Sequence, residues 1–179
     1  MKNIIFMALL LIGFGSKAQQ IIPYDTRGDI VEGAYYKDLD NELDPYVGTW
    51  AGTFEGKTFT ITFSKYLGFN STSNYTKDRL AGKYTMQDAG GNLLYSTYSL
   101  PDNKAKVQTL GFVGGTNRTK LRLIFVDHCI EGEIHLNFDN PQKTQMHWKY
   151  LTMQTLVTDT SGCAPYNEMP RGEMTLIKQ

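Results

Sequence analysis

Large apolar side chains alternate with small polar ones along much of this chain, and this period of two constrains the fold more than any other feature. The clearest example is the segment Gly48 to Phe54, which is followed by Glu55-Gly56 and then by residues 57–63. In the second segment, phenylalanine and isoleucine alternate with threonine. Two such segments around a glycine-containing pair predict a β-hairpin, because successive residues of a strand face opposite sides.

The same pattern recurs along the rest of the chain in short segments separated by turn residues. Gly, Pro, Asn and Asp fall between the segments, where they favour turns. The pattern predicts eight or nine strands, at residues 48–54, 57–63, 81–87, 92–99, 106–112, 119–126, 131–138, 144–150 and 173–178. The chain is therefore predicted to be all-β.

Short connections between successive strands favour an antiparallel up-and-down meander. A twisted meander of this length tends to close on itself, because closure removes its exposed edges. The predicted fold is a single antiparallel up-and-down barrel of eight or nine strands. A two-sheet β-sandwich is the alternative, since alternation does not distinguish one curled sheet from two stacked sheets.

The alternation also predicts register, because opposed residues of antiparallel strands share a face. In the first hairpin it requires a turn of even length, and Glu55-Gly56 meets that requirement. In the hairpin near residue 140 it requires a turn of odd length. A three-residue turn at residues 140–142 would pair Leu136 with Met146.

This second register would set His135 opposite His147 on the outer face. A metal site would need further ligands, and Glu133 is the nearest one on the same face. Lys149 also lies there and disfavours a cation. We therefore expect two solvated imidazoles and no metal.

The first eighteen residues have the features of a secretory signal peptide. Met1-Lys2-Asn3 is positively charged, Ile4 to Phe14 is almost unbroken in its apolar character, and Ser16-Lys17-Ala18 offers a small-residue cleavage site. The apolar run is shorter than the roughly 20 residues that a membrane-spanning helix needs. We expect cleavage after Ala18, a secreted or periplasmic product, and no membrane span after cleavage.

The region between the signal and the first strand is predicted to hold an arm and a short helix. Residues 19–34 have little periodicity and are predicted to form an extended N-terminal arm. The next residues place apolar side chains on one helical face before a proline: Tyr35 or Tyr36, Leu39, Leu43 and Pro45. Residues 35–179 would then form a single β-barrel domain that begins with this helix.

Two cysteines, Cys129 and Cys163, are present in the whole chain. An oxidising compartment favours joining an even number of cysteines, so we predict a disulfide between them. On the chain-entropy estimate, closing a loop of this length stabilises the fold by roughly 4 kcal/mol.

Charge and motifs exclude several classes of function. The 18 basic residues balance the 18 acidic ones, so no basic surface for nucleic acid is expected. The sequence has no Gly-x-Ser-x-Gly, His-Glu-x-x-His, phosphate-binding loop or dinucleotide fingerprint. The acidic residues Asp127, Glu131 and Glu133 are close in sequence, but such groups are usually solvated. We expect no enzyme and no cofactor.

Two binding functions are left. In the first, inward side chains line a site for a small apolar or amphipathic ligand, although the same side chains could simply fill the barrel. The candidates are Phe59, Ile61, Phe63, Leu123, Phe125, Leu136, Met146 and Trp148. In the second, the barrel is solid and a loop at residues 64–79 binds an envelope protein or a glycan. Tyr66, Phe69 and Tyr75 lie among polar residues there, in a composition that also suits a mobile surface loop.

The triplet Gly48-Thr49-Trp50 at the start of the first strand resembles the calycin superfamily, which includes the lipocalins and fatty-acid-binding proteins. In that superfamily the tryptophan closes one end of the barrel and packs against a basic side chain of the last strand. The resemblance implies a lipocalin-like barrel in which Lys178 supplies that basic group.

A second resemblance extends over nearly the whole chain. It is to a family of secreted proteins of unknown function from Bacteroidota, and it is carried by residues 16–20, 37–50, 56–58 and 177–179. This family has no established activity. The resemblance implies a bacterial envelope or secreted setting and assigns no catalytic residue.

Overall fold

The computed structural model describes residues 19–113, 118–127, 130–152 and 169–179, with the backbone alone described at Ile130. These residues form eleven strands, short 3-10 turns at Asp44–Tyr46 and Asp102–Lys104, and no α-helix. The strands are β1 (Ile21–Pro23), β2 (Tyr35–Lys37), β3 (Gly48–Phe54), β4 (Lys57–Asn70), β5 (Tyr75–Gln87), β6 (Leu93–Ser96), β7 (Val107–Phe112), β8 (Leu121–Asp127), β9 (Ile130–Phe138), β10 (Gln145–Thr152) and β11 (Glu173–Lys178).

Eight of these strands close into an antiparallel barrel. β3, β4, β5, β7, β8, β9, β10 and β11 pair in that order, and β11 returns to pair with β3. The predicted up-and-down barrel is confirmed, and the sandwich alternative is wrong. The structure thus follows the rule that strands joined by short turns pair with each other.

The first hairpin has the predicted register. Trp50 lies opposite Ile61, Gly52 opposite Phe59, and the two-residue turn is Glu55-Gly56. The turn residues have positive φ, 48° for Glu55 and 75° for Gly56, as a tight hairpin turn requires.

The predicted register of the second hairpin is wrong by two residues. Met146 pairs with Phe138 instead of Leu136. The turn is longer because the Asn140 side chain accepts hydrogen bonds from the backbone N–H of Thr144 at 3.0 Å and of Gln145 at 3.2 Å. A shift of two preserves the faces, so the inward set is as predicted although its partners differ.

The predicted helix before β3 is also wrong. Tyr36 lies in β2, which pairs with β1 on one side and with β5 on the other. The carboxylate of Asp38 then accepts the backbone N–H of Glu42 at 2.8 Å and of Leu43 at 3.1 Å. These interactions favour a strand followed by a turn over a continuous helix, and Leu39 points to solvent, 51% exposed.

Two further predictions around β5 are corrected. Residues 64–79, predicted to be a loop, are the distal half of the long β4–β5 hairpin, whose ladder continues without a break from Thr58 to Asn70. The strand predicted at 92–99 shrinks to β6, which pairs with the last residues of β5 and is not part of the closed barrel.

Two predictions lie outside the described residues: the signal peptide at 1–18 and the disulfide between Cys129 and Cys163. Within the residues described, no helix is long and apolar enough to cross a membrane. The predicted arm 19–34 contains β1, which pairs in parallel with β2.

Candidate functional site

One end of the barrel is closed by the chain segment that precedes β3. Tyr46 packs its ring against Phe138, with centroids 4.5 Å apart, and its carbonyl accepts the indole N–H of Trp50 at 2.8 Å. Lys178 of β11 lies over the Trp50 ring, with Nζ 5.2 Å from the centroid. Gly48 has φ +119°, and the Lys178 chain passes 3.4 Å from the place where a Cβ would stand. The three residues singled out with the Gly-x-Trp triplet therefore meet at this closed end.

The inward side chains singled out as ligand candidates form the centre of the core. Each is at most 1% exposed, and they pack with one another and with Trp50, Tyr84 and Leu176: Phe59, Ile61, Phe63, Leu123, Phe125, Leu136, Met146 and Trp148. Phe59 contacts Trp148 edge-to-face, with centroids 5.3 Å apart. Aromatic and branched side chains of this size fill the interior of an eight-stranded barrel themselves.

Two pockets lie at the ends of the barrel rather than at its centre. One, of about 390 Å³, lies at the end that carries the Glu55-Gly56 turn, and its lining includes Lys57, Met86 and Arg171. The other, of about 410 Å³, lies at the opposite end, where Tyr46 and Phe138 contribute aromatic surface.

Two of the three acidic residues noted in the sequence, Glu133 and Asp127, form ion pairs with cationic side chains of the protein itself. Glu133 forms a two-pronged ion pair with Arg122, at 2.9 and 2.8 Å, and also contacts His135. The hydrogen bonds from Arg122 lower the pKa of the Glu133 carboxyl, although burial raises it; His135 contributes further lowering. Asp127 pairs with Lys106. The carboxylates of Glu133 and Asp127 therefore each face a cation of the protein.

The two histidines do not lie opposite each other, contrary to the register predicted for them. His135 is opposite Lys149, and His147 is opposite Asn137. His147 instead lies 3.3 Å from Glu173 on the neighbouring strand. Over the described ranges, no group of three or more His, Cys, Asp or Glu side chains could hold a metal ion.

The hairpin β4–β5 continues past the closed end of the barrel and carries an extension of the barrel sheet. β3 starts opposite Phe63, so residues 64–70 of β4 extend beyond it. Together with residues 75–79 of β5, β2 and β1, they make a four-stranded sheet, which we call the projecting sheet.

One face of the projecting sheet exposes large apolar side chains, and we call it the apolar face. Its pairings run in a row from Ile21 to Tyr35, to Thr76 and to Phe69, and paired residues share a face. Ile21 is 56% exposed, Phe69 is 64% exposed, and Leu67, the next residue on that face of β4, is 57% exposed. Three large apolar side chains thus meet solvent on one face.

The opposite face of the same sheet is covered. Ile22, Ala34 and Tyr36 are buried there, and Tyr75 packs against Tyr36 with ring centroids 5.3 Å apart. Tyr66 donates its hydroxyl to Gln108 at 2.7 Å. Two of the three aromatic residues noted for the 64–79 segment are therefore structural, and Phe69 is the one that is exposed.

A charged cluster fixes the projecting sheet to the barrel. Asp78 accepts the Tyr35 hydroxyl at 2.6 Å and the backbone N–H of Asp38 at 2.8 Å. Burial and the hydrogen bond to Asp78 raise the pKa of Tyr35 to about 12. Lys65 forms ion pairs with Asp38, at 3.0 Å, and with Asp44. Burial lowers the pKa of Lys65, but its hydrogen bonds to Asp44 and Asp38 outweigh that effect, so the pKa is raised. The sheet is therefore held in a defined position.

Comparison with known proteins identifies a family. The profile of a family of unknown function, DUF6705, matches residues 1–179. The chain belongs to DUF6705. Neither the curated proteins nor the solved structures contain a match to it.

The sequence of this DUF6705 member gave a signal for part of the apolar face. Phe69 stood out as an aromatic residue among polar ones, but Leu67 and Ile21 did not. Leu67 lies on the same face of β4 as Phe63, so the alternation predicts that both side chains are buried. Phe63 is buried, but Leu67 is exposed. The sequence carries no signal for this change, because it arises where the long hairpin passes the end of the barrel and its inward face becomes an outward face.

Proposed function

We propose that this protein is a non-catalytic interaction module that binds another polypeptide on the apolar face of its projecting sheet. The observation that carries this proposal is that Ile21, Leu67 and Phe69 are more than half exposed on one face, outside a fully packed barrel. Leu67 and Phe69 are neighbours on this face, and Ile21 lies on the same face three strands away. Exposed apolar side chains gathered on one face of a well-packed protein are typical of interaction surfaces.

The chemistry of the face favours a polypeptide over a glycan. The exposed side chains Ile21 and Leu67 offer no hydrogen-bonding group, and the polar Tyr35 and Asp78 on the same face are already bonded to each other. Burying a large apolar side chain completely is worth about 1.5–3 kcal/mol. A protein partner can supply complementary apolar area, which buries these side chains away from water. The charged cluster around Lys65 holds the projecting sheet in a defined position, so binding adds little loss of conformational entropy.

The setting we propose is the bacterial envelope or the medium outside it. Its support is the composition of residues 1–18, with a basic start, a short apolar run and a small-residue end. A chain delivered there would meet envelope proteins as candidate partners.

A small amphipathic ligand is the second candidate, and the end pocket beside Arg171 is the observation that favours it. The pocket combines the apolar side chains of Phe54 and Met86 with the cation Lys57. Binding of dodecyl sulfate measured by calorimetry would test it: Lys57→Gln should weaken binding, while Lys104→Gln, at an exposed residue that does not line this pocket, should not. Equal affinity in both variants would exclude this pocket.

The main proposal is tested by placing a photo-cross-linking amino acid at position 67 in the cells that produce the protein. We expect a discrete adduct with a protein other than this chain, because position 67 lies on the apolar face; an adduct between two copies of this chain would not support the proposal. A second substitution, Phe69→Ser, should abolish that adduct by removing the neighbouring apolar contact.

The control is Leu94→Ser, which removes a side chain of comparable exposure, 53%, from β6. This change should leave the adduct at position 67 unaltered. An adduct that survives Phe69→Ser, or no adduct at all, would exclude binding at the apolar face. Unchanged thermal unfolding of both variants would show that the fold is intact.

A further inference from the structure

The strand β4 has a free edge beyond the barrel. Its residues 64–70 pair with β5 on one side, whereas β3 on the other side begins only opposite Phe63. In the part of the chain that the structure describes, no other strand pairs with this free side, and no backbone hydrogen bond outside the ladders involves these residues. An edge of this kind presents unpaired N–H and C=O groups.

The register identifies which residues present those groups. Phe54 and Lys57 close the two-residue turn as a hydrogen-bonded pair, so the odd-numbered residues of β4 exchange hydrogen bonds with β3. The β4–β5 ladder has no bulge, so this parity continues to the end of the strand. The N–H and C=O groups of Lys65, Leu67 and Phe69 therefore point to the free side.

The usual protections of an exposed edge are weak here. Natural edges are blunted by prolines, bulges or charged side chains, and residues 64–70 contain neither proline nor bulge and one charged residue. The one charged residue, Lys65, is already bound to Asp38 and Asp44. The overall charge of the chain is balanced, so two copies do not repel each other at long range.

We propose that a second copy of this chain pairs antiparallel with β4 along this edge, about a two-fold axis at Leu67. This inference rests on the proposed function, because the free edge belongs to the projecting sheet that carries the apolar face. Antiparallel pairing about Leu67 sets odd residues opposite odd residues, so every free-edge group of residues 65, 67 and 69 finds a partner. A strand edge is self-complementary in this arrangement.

The side chains also match across the axis. Leu67 meets Leu67 of the partner subunit on the apolar face, and Phe69 lies beside Lys65 of the partner subunit. The two projecting sheets become one sheet of eight strands. The apolar faces of both copies then form one continuous surface, which doubles the area available to a polypeptide partner.

The first test uses proline, because proline at an odd position of β4 removes a donor from the free edge without touching the β4–β5 ladder. In sedimentation experiments we expect a dimer for the full chain and for Leu67→Val, and a monomer for Leu67→Pro. Amide exchange should show slow exchange at positions 65, 67 and 69 in the dimer. In Leu67→Pro, positions 65 and 69 should exchange quickly, while positions 66 and 68 remain protected by β5.

A second pair of variants applies if Leu67→Pro disturbs the hairpin. Leu67→Lys and Leu67→Glu should each be monomeric, because like charges would oppose each other across the axis. An equimolar mixture of the two should restore a dimer. That rescue requires position 67 of one copy to lie near position 67 of the other.

Several outcomes would overturn the inference. These are a full chain that is monomeric at all concentrations, a dimer indifferent to Leu67→Pro and to the charge variants, or fast exchange at positions 65, 67 and 69 within a dimer. None of them would remove a photo-adduct with a different protein at position 67. Conversely, loss of that adduct would leave the dimer intact, so the two proposals fail separately.

Discussion

The ammonium group of Lys178 lies over the ring of Trp50, 5.2 Å from its centroid, and the two residues are paired across the β11–β3 seam that closes the barrel. The contact joins the last strand to the first strand of the barrel, so it connects the two ends of the barrel sequence. The indole N–H of Trp50 is at the same time held by the Tyr46 carbonyl. The closing segment and the closing seam therefore meet at one tryptophan.

We predict that Lys178→Ala lowers the free energy of unfolding by about 0.5–1 kcal/mol, the value typical of a cation over an aromatic ring at an exposed site. Lys178→Arg should retain most of the stability, because a guanidinium also stacks on an aromatic face. Urea unfolding monitored by tryptophan fluorescence would measure both. Lys104→Ala, at an exposed position in the 3-10 turn Asp102–Lys104, is the control and should leave the stability unchanged.

The closed barrel and the first hairpin could be predicted from the sequence because both depend on local patterns. Alternation fixes which residues face inward, and the Glu55-Gly56 turn fixes how the strands on either side of it pair. The parity of the second hairpin followed from the same rule. The residues that pair across the second hairpin could not be predicted in this way, because the pairing depends on hydrogen bonds that the Asn140 side chain accepts within the turn.

The apolar face could not be predicted, because it depends on pairing between distant parts of the chain. Tyr35 and Tyr36 have a helical pattern when read alone, yet they form β2 because β5 offers them a partner about forty residues later. The 64–79 segment has the polar composition of a loop, but its continuous ladder makes it a hairpin. Tertiary pairing overrode local preference in both segments.

A second prediction concerns the close approach of Tyr150 to Gly132. A Cβ at Gly132 would lie 2.2 Å from the Tyr150 ring, so Gly132→Ala forces the ring or the strand to move. We expect a loss of about 1–3 kcal/mol in unfolding free energy, the range for overpacking in a core. Thermal or urea unfolding would measure it.

The double variant Gly132→Ala with Tyr150→Ala tests the cause of that loss. If the ring is the obstacle, the alanine at position 132 should cost much less in the background that lacks the ring. Additive losses in the double variant would mean that the cost arises from the β9 backbone instead.

A third prediction is a dependence of stability on acid pH through Glu133. Arg122 holds the pKa of the folded Glu133 carboxyl below its ordinary value of 4.5. Because the Glu133 carboxyl has a lower pKa in the folded protein than in the unfolded chain, it contributes to stability at pH values above the unfolded pKa. This contribution is lost as the pH falls through the folded pKa. Stability should therefore fall below about pH 4.5, and Glu133→Gln should be less stable than the natural protein at pH 7 but should lose less on acidification. Parallel slopes for both proteins between pH 5 and pH 2 would contradict this assignment.

The final prediction contrasts Phe63 with Phe69, which lie on the same face of the same strand. Phe63 is 1% exposed in the barrel core, and Phe69 is 64% exposed on the apolar face. Phe63→Ala should cost about 3–5 kcal/mol in unfolding free energy, as for other buried phenylalanines. Phe69→Ala in the monomeric Leu67→Lys background should change it by less than about 0.5 kcal/mol, as for most surface substitutions. Urea unfolding of each variant against its own parent would separate the two positions. A loss of several kcal/mol at position 69 would mean that its side chain supports the fold of the monomer, and the apolar face would then no longer be a surface available for binding.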